Sequence, residues 1–157
     1  MADLHRASLL LLLLLTACSR LPELTPNLLH AAQLQWEKSG PPNYRMVVET
    51  SGDRMETSKY AITVRGKVIV KLERNGNPLQ PEAGGSSYSV EGLFHTLDQE
   101  IDLAGKPQQL GAPPGYSSYP FARFDPATGR LLRFQRSVGG MKNSIEIKVT
   151  EFEVLNP

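Results

Sequence analysis

The chain has 157 residues, and its 17 Lys and Arg side chains nearly balance its 16 Asp and Glu side chains. This balance creates no field that would attract a phosphate backbone, so we expect no nucleic-acid partner. The chain has one cysteine, which excludes a disulfide within it, so we expect packing to stabilise the fold.

The N-terminal segment carries the most specific pattern in the chain. The leucines of residues 9–15 are followed by Thr16, Ala17 and Cys18. A short apolar run that ends in small residues and one cysteine resembles a bacterial lipoprotein signal. The resemblance implies cleavage before Cys18, a diacylglyceryl group on its sulfur and, usually, an acyl group on its freed amine. Two or three acyl chains anchor a protein stably to a bilayer, so membrane lipid is the expected partner of Cys18.

Two other interpretations of this segment stay open. A membrane-spanning helix needs roughly 20 apolar residues, but the apolar run over residues 7–17 is shorter and leads into Ser19 and Arg20. A secretory signal that is cleaved elsewhere also fits the length. Ser19 stands where an aspartate would resemble an inner-membrane retention signal. In a Gram-negative host we therefore expect the outer membrane, with the protein facing the periplasm.

The chain divides into three predicted parts. Residues 1–17 form the lipoprotein signal peptide, and residues 18–25 form the lipidated N-terminus and a short tether that keeps the domain near the membrane. Residues 26–157 have the usual length of one domain. We expect this part to be a single folded unit.

The first predicted element is a helix over residues 26–39. Thr25 is a typical N-cap, and Pro26 suits the first helical position because its missing N–H has no partner there. Apolar side chains recur at helical spacing up to Trp36, and Gly40-Pro41-Pro42 ends the pattern. We expect Trp36 to pack this helix onto a sheet, with a place in a ligand site as the alternative.

Alternating apolar residues predict three strands after this helix. The first covers residues 44–50, and residues 51–59 are polar. The next two form a hairpin with Arg65-Gly66 as its two-residue turn, because glycine adopts positive φ at low cost. The apolar series of the hairpin consists of Tyr60, Ile62 and Val64, followed by Val68, Val70 and Leu72. Asn75-Gly76-Asn77-Pro78 then forms a turn, and residues up to 87 form a loop.

The second half of the chain predicts one helix and three more strands. Ser89 caps a helix over residues 90–103 whose apolar stripe is continuous. Residues 104–117 are rich in Pro and Gly and predict a loop. The strands cover residues 118–124, 131–138 and 144–154, and a phase slip in the last one predicts a β-bulge near Thr150-Glu151.

The order helix, three strands, helix, three strands predicts an α+β fold. In this fold two helices pack on one face of an antiparallel sheet of about six strands. We expect a single sheet.

Several motifs in this order resemble a family of bacterial lipoproteins and secreted proteins that is defined by the domain of unknown function numbered 6174. They are Trp36 followed by Asn43-Tyr44-Arg45, then Val64-Arg65-Gly66-Lys67-Val68, Tyr88-Ser89-Val90-Glu91-Gly92-Leu93-Phe94, and Tyr119-Pro120-Phe121-Ala122-Arg123-Phe124-Asp125. The resemblance covers most of the mature chain. It implies an α+β domain of envelope proteins and brings no activity and no site residues.

The sequence offers no pattern for catalysis or for a bound cofactor. His30 and His95 are single histidines on the two helices, without the paired spacing that a metal site needs. Asp98, Glu100 and Asp102 are two residues apart on a helix, so they do not all face one another, and we expect a solvated helix face. We therefore expect no enzyme, no metal site and no cofactor.

The remaining candidates are aromatic residues near the start of the fourth predicted strand. Tyr116, Tyr119, Pro120 and Phe121 form a Tyr- and Pro-rich stretch that could present a partner-binding loop. The alternative is a loop that packs back on the sheet through its own side chains.

Three functional hypotheses follow. The first is a non-enzymatic, lipid-anchored envelope module that binds a protein through the open sheet face or the aromatic loop. The second is an envelope carrier or sensor of a lipid or small apolar ligand, which predicts a closed apolar cavity between sheet and helices. The third, more remote, is a hydrolase, which predicts His95 beside a buried carboxylate.

Overall fold

The computed structural model describes residues 20–80 and 88–157. The predicted signal peptide, Cys18 and most of the loop predicted before Ser89 lie outside the described residues. Within them the chain forms two α-helices, a short 3-10 helix and seven strands. In chain order these are α1 (Pro26–Ser39), β1 (Tyr44–Gly52), β2 (Met55–Arg65), β3 (Val68–Arg74), β4 (Asn77–Pro78), α2 (Val90–Ala104), the 3-10 helix (Pro107–Leu110), β5 (Ser118–Phe124), β6 (Leu131–Val138) and β7 (Ile145–Val154).

All seven described strands belong to one antiparallel sheet with the order β4-β3-β2-β1-β7-β6-β5. The predicted α+β class is confirmed. The sheet has seven strands where we expected about six, because Asn77 and Pro78 pair with β3 after the turn at Asn75 and Gly76. The chain thus folds back for two more residues at the position predicted as a plain turn.

Both helices begin where their capping residues predict. The Thr25 side chain accepts a hydrogen bond from the backbone N–H of Leu28, and Ser89 accepts one from Gly92. Each cap satisfies one of the N–H groups that a helix start leaves without a partner.

The two helices cover one face of the sheet, which we name the inner face. Trp36 of α1 packs edge-on against the ring of Tyr44 in β1, with 5.5 Å between the ring centroids. The hydroxyl of Tyr44 also accepts a hydrogen bond from the first backbone N–H of α2, that of Val90, at 3.1 Å. The largest fully buried side chains on this side are Tyr44, Met46, Val48, Ile62, Val64, Leu93, Leu97, Leu131 and Phe134.

The turn between β2 and β3 lies one residue later than predicted. Arg65 is the last residue of β2 and pairs with Val68, and the turn consists of Gly66 and Lys67, with φ of 57° and 67°. The predicted Arg65-Gly66 turn is therefore wrong. The strain of positive φ falls on Lys67, whose backbone N–H donates to the carbonyl of Pro42.

A β-bulge in β3 changes which of its side chains are buried. Thr63 pairs with Lys71 while Val64 pairs with Ile69, so Val70 is an extra residue in β3. As a result Val68 and Val70 are 63% and 56% exposed, although the alternation predicted both for the apolar side. A bulge moves all residues beyond it to the other face, and this cannot be inferred from alternation alone.

The bulge predicted in the last strand is present. Val47 pairs with Glu151 and Val48 with Val149, which leaves Thr150 as the extra residue of β7. This shift keeps both Val149 and Phe152 against the inner face, where Phe152 stacks on Tyr44 with a centroid distance of 5.3 Å.

Part of the predicted tether belongs to the folded domain. The backbone N–H of Leu24 donates to the carbonyl of Pro120, and that of Ala122 donates to the carbonyl of Pro22. Residues 22–24 therefore cover the edge of β5, and Leu24 is buried in the core. Pro120 suits this position because it lacks an N–H, so the edge strand leaves no donor unpaired at that point.

Candidate binding surface on the outer face of the sheet

The face of the sheet opposite the helices, which we name the outer face, is open in the described residues. Strand register places one residue from each of four neighbouring strands in a row across it. Phe121 of β5 lies opposite Gln135 of β6, Gln135 lies opposite Glu146 of β7, and Glu146 lies opposite Ser51 of β1. This row therefore begins with an aromatic residue in β5 and continues with three polar residues.

The four residues predicted to form a partner-binding loop lie in different structural environments. Tyr119 and Phe121 lie in β5 on the outer face, and Tyr119 is 50% exposed. Pro120 lies between them and is buried on the inner face, because successive residues of a strand point to opposite faces. The expected continuous binding loop therefore needs a correction: these three residues belong to a strand, and Pro120 cannot contact a partner at the outer face.

Tyr116 is the one candidate that lies in a loop. A Cβ atom added to Gly139 or to Gly140 would lie 3.0 Å from the Tyr116 ring, so the ring rests on the turn between β6 and β7. The Tyr116 side chain is nevertheless 49% exposed. Both predicted alternatives therefore apply in part. The loop packs back on the fold through Tyr116, and about half of the Tyr116 side chain remains exposed.

A shallow cleft of about 360 Å3 lies on the outer face beside Tyr119 and Phe121. Its floor and walls come from β5, β6, β7 and the end of β1, and include Gln135, Ser137 and Glu146. Sequence reasoning missed these last three residues. Alternation places them on outward positions, but only the register shows that they are neighbours of the aromatic pair.

Charged side chains on the rest of the outer face form exposed pairs. Arg133 contacts Glu146 at 2.6 Å, and both side chains remain partly exposed. The neighbouring row places Arg123, Arg133 and Lys148 on three adjacent strands. The described outer face therefore combines two aromatic side chains with two arginines, and both residue types are enriched in protein interfaces.

The inner side of the same strands holds a buried ion pair. Arg136 Nε lies 3.3 Å from Glu100 Oε2 of α2, with Arg136 5% and Glu100 8% exposed as whole residues. Burial raises the pKa of Glu100, and the neighbouring guanidinium partly opposes that rise. The expectation that Glu100 lies on a solvated helix face is wrong, because its partner comes from a strand distant in sequence.

A second polar cluster holds the start of α2. The indole N–H of Trp36 donates to Glu91 Oε1 at 3.0 Å, and the hydroxyl of Tyr44 donates to Glu91 Oε2 at 3.2 Å. Burial is the main cause that raises the pKa of Tyr44 above its ordinary range. Glu91 therefore links both helices to β1. The role of these contacts is structural, and we name the cluster the junction.

His95 of α2 does not contact the buried carboxylate of Glu100. His95 Nε2 is 3.2 Å from the side-chain amide of Gln99 on the helix surface, whereas Glu100 pairs with Arg136. Among residues 20–80 and 88–157, no group of three His, Cys, Asp or Glu side chains is placed to hold a metal ion.

Core side chains pack between sheet and helices, and a mostly apolar pocket of about 120 Å3 remains there between α2 and the sheet. The larger clefts of the described residues, of about 400, 360 and 450 Å3, open at the surface. These geometries differ from the closed apolar cavity that a carrier of lipid would need.

Comparison with known proteins found no protein-family model and no curated protein that matches this chain. The resemblance to the family of the domain of unknown function numbered 6174 therefore stays a prediction. Neither helix in the described part of the chain is long and apolar enough to cross a membrane.

Proposed function

We propose that the protein is a non-enzymatic, lipid-anchored module of the cell envelope that binds a protein partner through the outer face of β5, β6 and β7. The observation that carries this proposal is the position of Tyr119 and Phe121 on one open face, next to Arg123 and Arg133. Aromatic and arginine side chains dominate the binding energy of many protein interfaces. A flat face of this kind suits a protein better than a small molecule.

The anchor in this proposal is the lipidated Cys18. The supporting pattern is the leucine run of residues 9–15 before Thr16, Ala17 and Cys18. In a Gram-negative host, the domain would lie in the periplasm on the outer membrane, where a surface-bound module meets other envelope proteins.

Two alternatives receive less support from the geometry. A carrier or sensor of an apolar ligand needs an enclosed cavity of several hundred Å3. The larger clefts of the described residues open to solvent, and the pocket between α2 and the sheet holds only about 120 Å3. A hydrolase that uses His95 needs a buried carboxylate beside it, and the contact described for His95 is with Gln99.

Intact mass spectrometry of the protein purified from bacterial membranes tests the anchor. We expect a chain that begins at Cys18 and carries a diacylglyceryl group together with an amide-linked acyl chain. Cys18→Ser serves as the control, since it removes the sulfur and should shift the protein to the soluble fraction. A mature chain that retains residues 1–17, or a Cys18→Ser variant that still fractionates with membranes, would overturn this part of the proposal.

Crosslinking and mass spectrometry in intact envelopes test the binding role. We expect crosslinks from Lys148 on the outer face to one envelope protein, recovered above the level of an unrelated domain that carries the same lipid anchor. Recovery equal to that of the control domain would count against a protein partner. Crosslinks that arise only from the helices would move the binding surface away from β5, β6 and β7.

A further inference from the structure

The chain enters the folded domain at one defined place. Residues 22–24 are hydrogen-bonded to β5, and the Arg123 guanidinium donates to the carbonyl of Arg20 at 3.1 Å. Because this pairing is antiparallel, the chain before Pro22 runs towards the end of β5 at Phe124. The position where Arg20 leaves the domain therefore lies beside the β5–β6 turn, residues 125–130.

The distance from this position to the predicted anchor is short. Cys18 is two residues before Arg20, and a fully extended chain covers at most about 3.5 Å per residue, so the lipid is attached within about 7 Å of Arg20. A folded domain of this length has a radius of gyration of about 14 Å. The connection is thus much shorter than the domain, which restricts the orientations that the domain can take above the bilayer.

An apolar cleft of about 400 Å3 lies at the same place. Its apolar lining includes Pro22 of the tether, Leu28 of α1 and Phe124 of β5, and Arg123 and Asp125 are the charged residues that line it. The cleft is wide open to the surface, and its lining is mostly apolar. A surface of this composition can face lipid headgroups, because only two of its lining residues are charged.

The charges around the cleft are also compatible with a bilayer surface. Arg20 and Arg123 lie where the chain leaves the domain. The carboxylate of Asp125 is 3.5 Å from Arg130 Nε, which offsets its charge. Cations at this position attract anionic lipid headgroups.

We infer that the domain rests on its own membrane in one orientation, with the cleft between α1 and the β5–β6 turn against the lipid headgroups. This inference rests on the proposed lipidation of Cys18 and adds a second lipid contact, made by the folded domain. Tyr116 lies beyond the other end of β5, a strand of seven residues that spans about 20 Å. The orientation therefore directs Tyr116 away from the bilayer and leaves the outer face accessible from the side.

Quenching of single fluorescent labels tests this orientation. The full lipidated protein is reconstituted in vesicles of phosphatidylethanolamine and phosphatidylglycerol that contain a nitroxide-labelled headgroup. Ala127→Cys places a label in the β5–β6 turn, and Ser117→Cys places one beside Tyr116 at the opposite end of β5. Lipidated Cys18 has no free thiol, so each variant carries one reactive site. We expect at least threefold stronger quenching at position 127 than at position 117.

A lengthened tether is the matched control. Twenty Gly and Ser residues inserted between Ser19 and Arg20 add a root-mean-square reach of about 25 Å, comparable to the size of the domain. We expect this variant to float with the vesicles as before but to lose most of the difference between the two sites. Pro126→Cys provides a second label in the same turn if Ala127→Cys unfolds.

The outcomes separate the inference from the proposal on which it rests. Equal quenching at both sites in a protein that floats with the vesicles would overturn the orientation and leave the anchor intact. Stronger quenching at position 117 would place the opposite end on the membrane and would also overturn it. Failure to float would remove the anchor and, with it, the orientation.

Discussion

Two adjacent rows of the sheet show how differently its faces are built. On the inner face Ala122, Phe134, Ile147 and Thr50 lie side by side on four strands and are all buried. One residue along each strand, the outer row consists of Phe121, Gln135, Glu146 and Ser51. The strands and their order are identical for both rows. The difference lies only in the side chains, which are largely apolar beneath the helices and largely polar on the open side.

This comparison assigns stability to the inner face, and our proposed function places recognition on the outer face. Removal of an inner side chain leaves a cavity because the helices hold their positions, whereas an outer side chain borders water. Exposed ion pairs such as Arg133 with Glu146 contribute little to folding, so residues at these positions can serve a partner. Single substitutions on the two faces distinguish these roles.

Phe134→Ala should have the largest effect on stability. Phe134 is fully buried on the inner face, and a Phe→Ala change at such a site costs about 4 kcal/mol through lost transfer energy and the resulting cavity. Denaturant unfolding followed by circular dichroism measures the loss. Phe121→Ala is the matched control on the outer face and should cost only about 1 kcal/mol. Similar costs for the two variants would contradict the division between the faces.

The ion pair between Arg136 and Glu100 is a buried charged contact on the otherwise largely apolar inner face. Arg136→Met removes the cation and leaves the Glu100 carboxylate buried, so the free energy of unfolding at pH 7 should fall by about 3 kcal/mol. Glu100→Gln should also lower it by about 3 kcal/mol, because Arg136 stays charged and buried and keeps only a 3.4 Å contact with Asn143 Oδ1. A loss below about 1 kcal/mol for either variant would show that the pair does not depend on both charges.

The same pair predicts a pH dependence. Because folding raises the pKa of Glu100, its contribution to stability is greatest below its ordinary pKa of 4.5 and is lost as the pH rises through the pKa of the folded state. Arg136→Met removes the charge that opposes this rise, so the pKa of Glu100 should increase further. The stability deficit of Arg136→Met relative to the unchanged protein should therefore be smaller at pH 5 than at pH 7. Unfolding curves at the two pH values measure it.

Tyr44→Phe tests the junction between the inner face and α2. The change removes the hydroxyl that donates to Glu91 and leaves the backbone N–H of Val90 without this acceptor, at a cost of about 1–2 kcal/mol. Tyr119→Phe makes the same chemical change on the outer face and should alter stability by less than about 0.5 kcal/mol. Thermal unfolding of both variants distinguishes the two hydroxyls, and equal shifts would count against the junction.

Arg133→Ala should have the smallest effect. Its contact with Glu146 is exposed, so we expect a loss below about 1 kcal/mol that decreases at high salt concentration. Urea unfolding at two ionic strengths provides the measurement. A loss of several kcal/mol would mean that the outer face also carries stability.

Sequence patterns predicted the elements whose signals are local. The helix after Ser89 and the strands Ser118–Phe124 and Leu131–Val138 begin where predicted, because a cap or an alternation acts over a few residues. The bulge at Thr150 was also predictable, since it leaves a phase slip in the strand itself.

Features that depend on distant partners were not predictable in this way. The bulge at Val70 is defined by its pairing with β2, and the burial of Glu100 depends on Arg136. Residues 22–24 are predicted as part of a tether, because their hydrogen bonds with β5 join segments that are distant in sequence. For the candidate site, sequence analysis found Tyr119 and Phe121 but included the buried Pro120, because composition does not show which way a side chain points.

We propose that the outer face binds a protein while the inner face maintains the fold. The most direct measurement is partner recovery after crosslinking in intact envelopes, with Tyr119→Ala and Phe121→Ala combined in one variant. Val70→Ala, an exposed apolar change in β3, serves as the control. We predict that the double variant remains folded and that the amount of partner recovered with it falls at least tenfold. Recovery with Val70→Ala should be unchanged. Unchanged recovery by a folded double variant would contradict the claim.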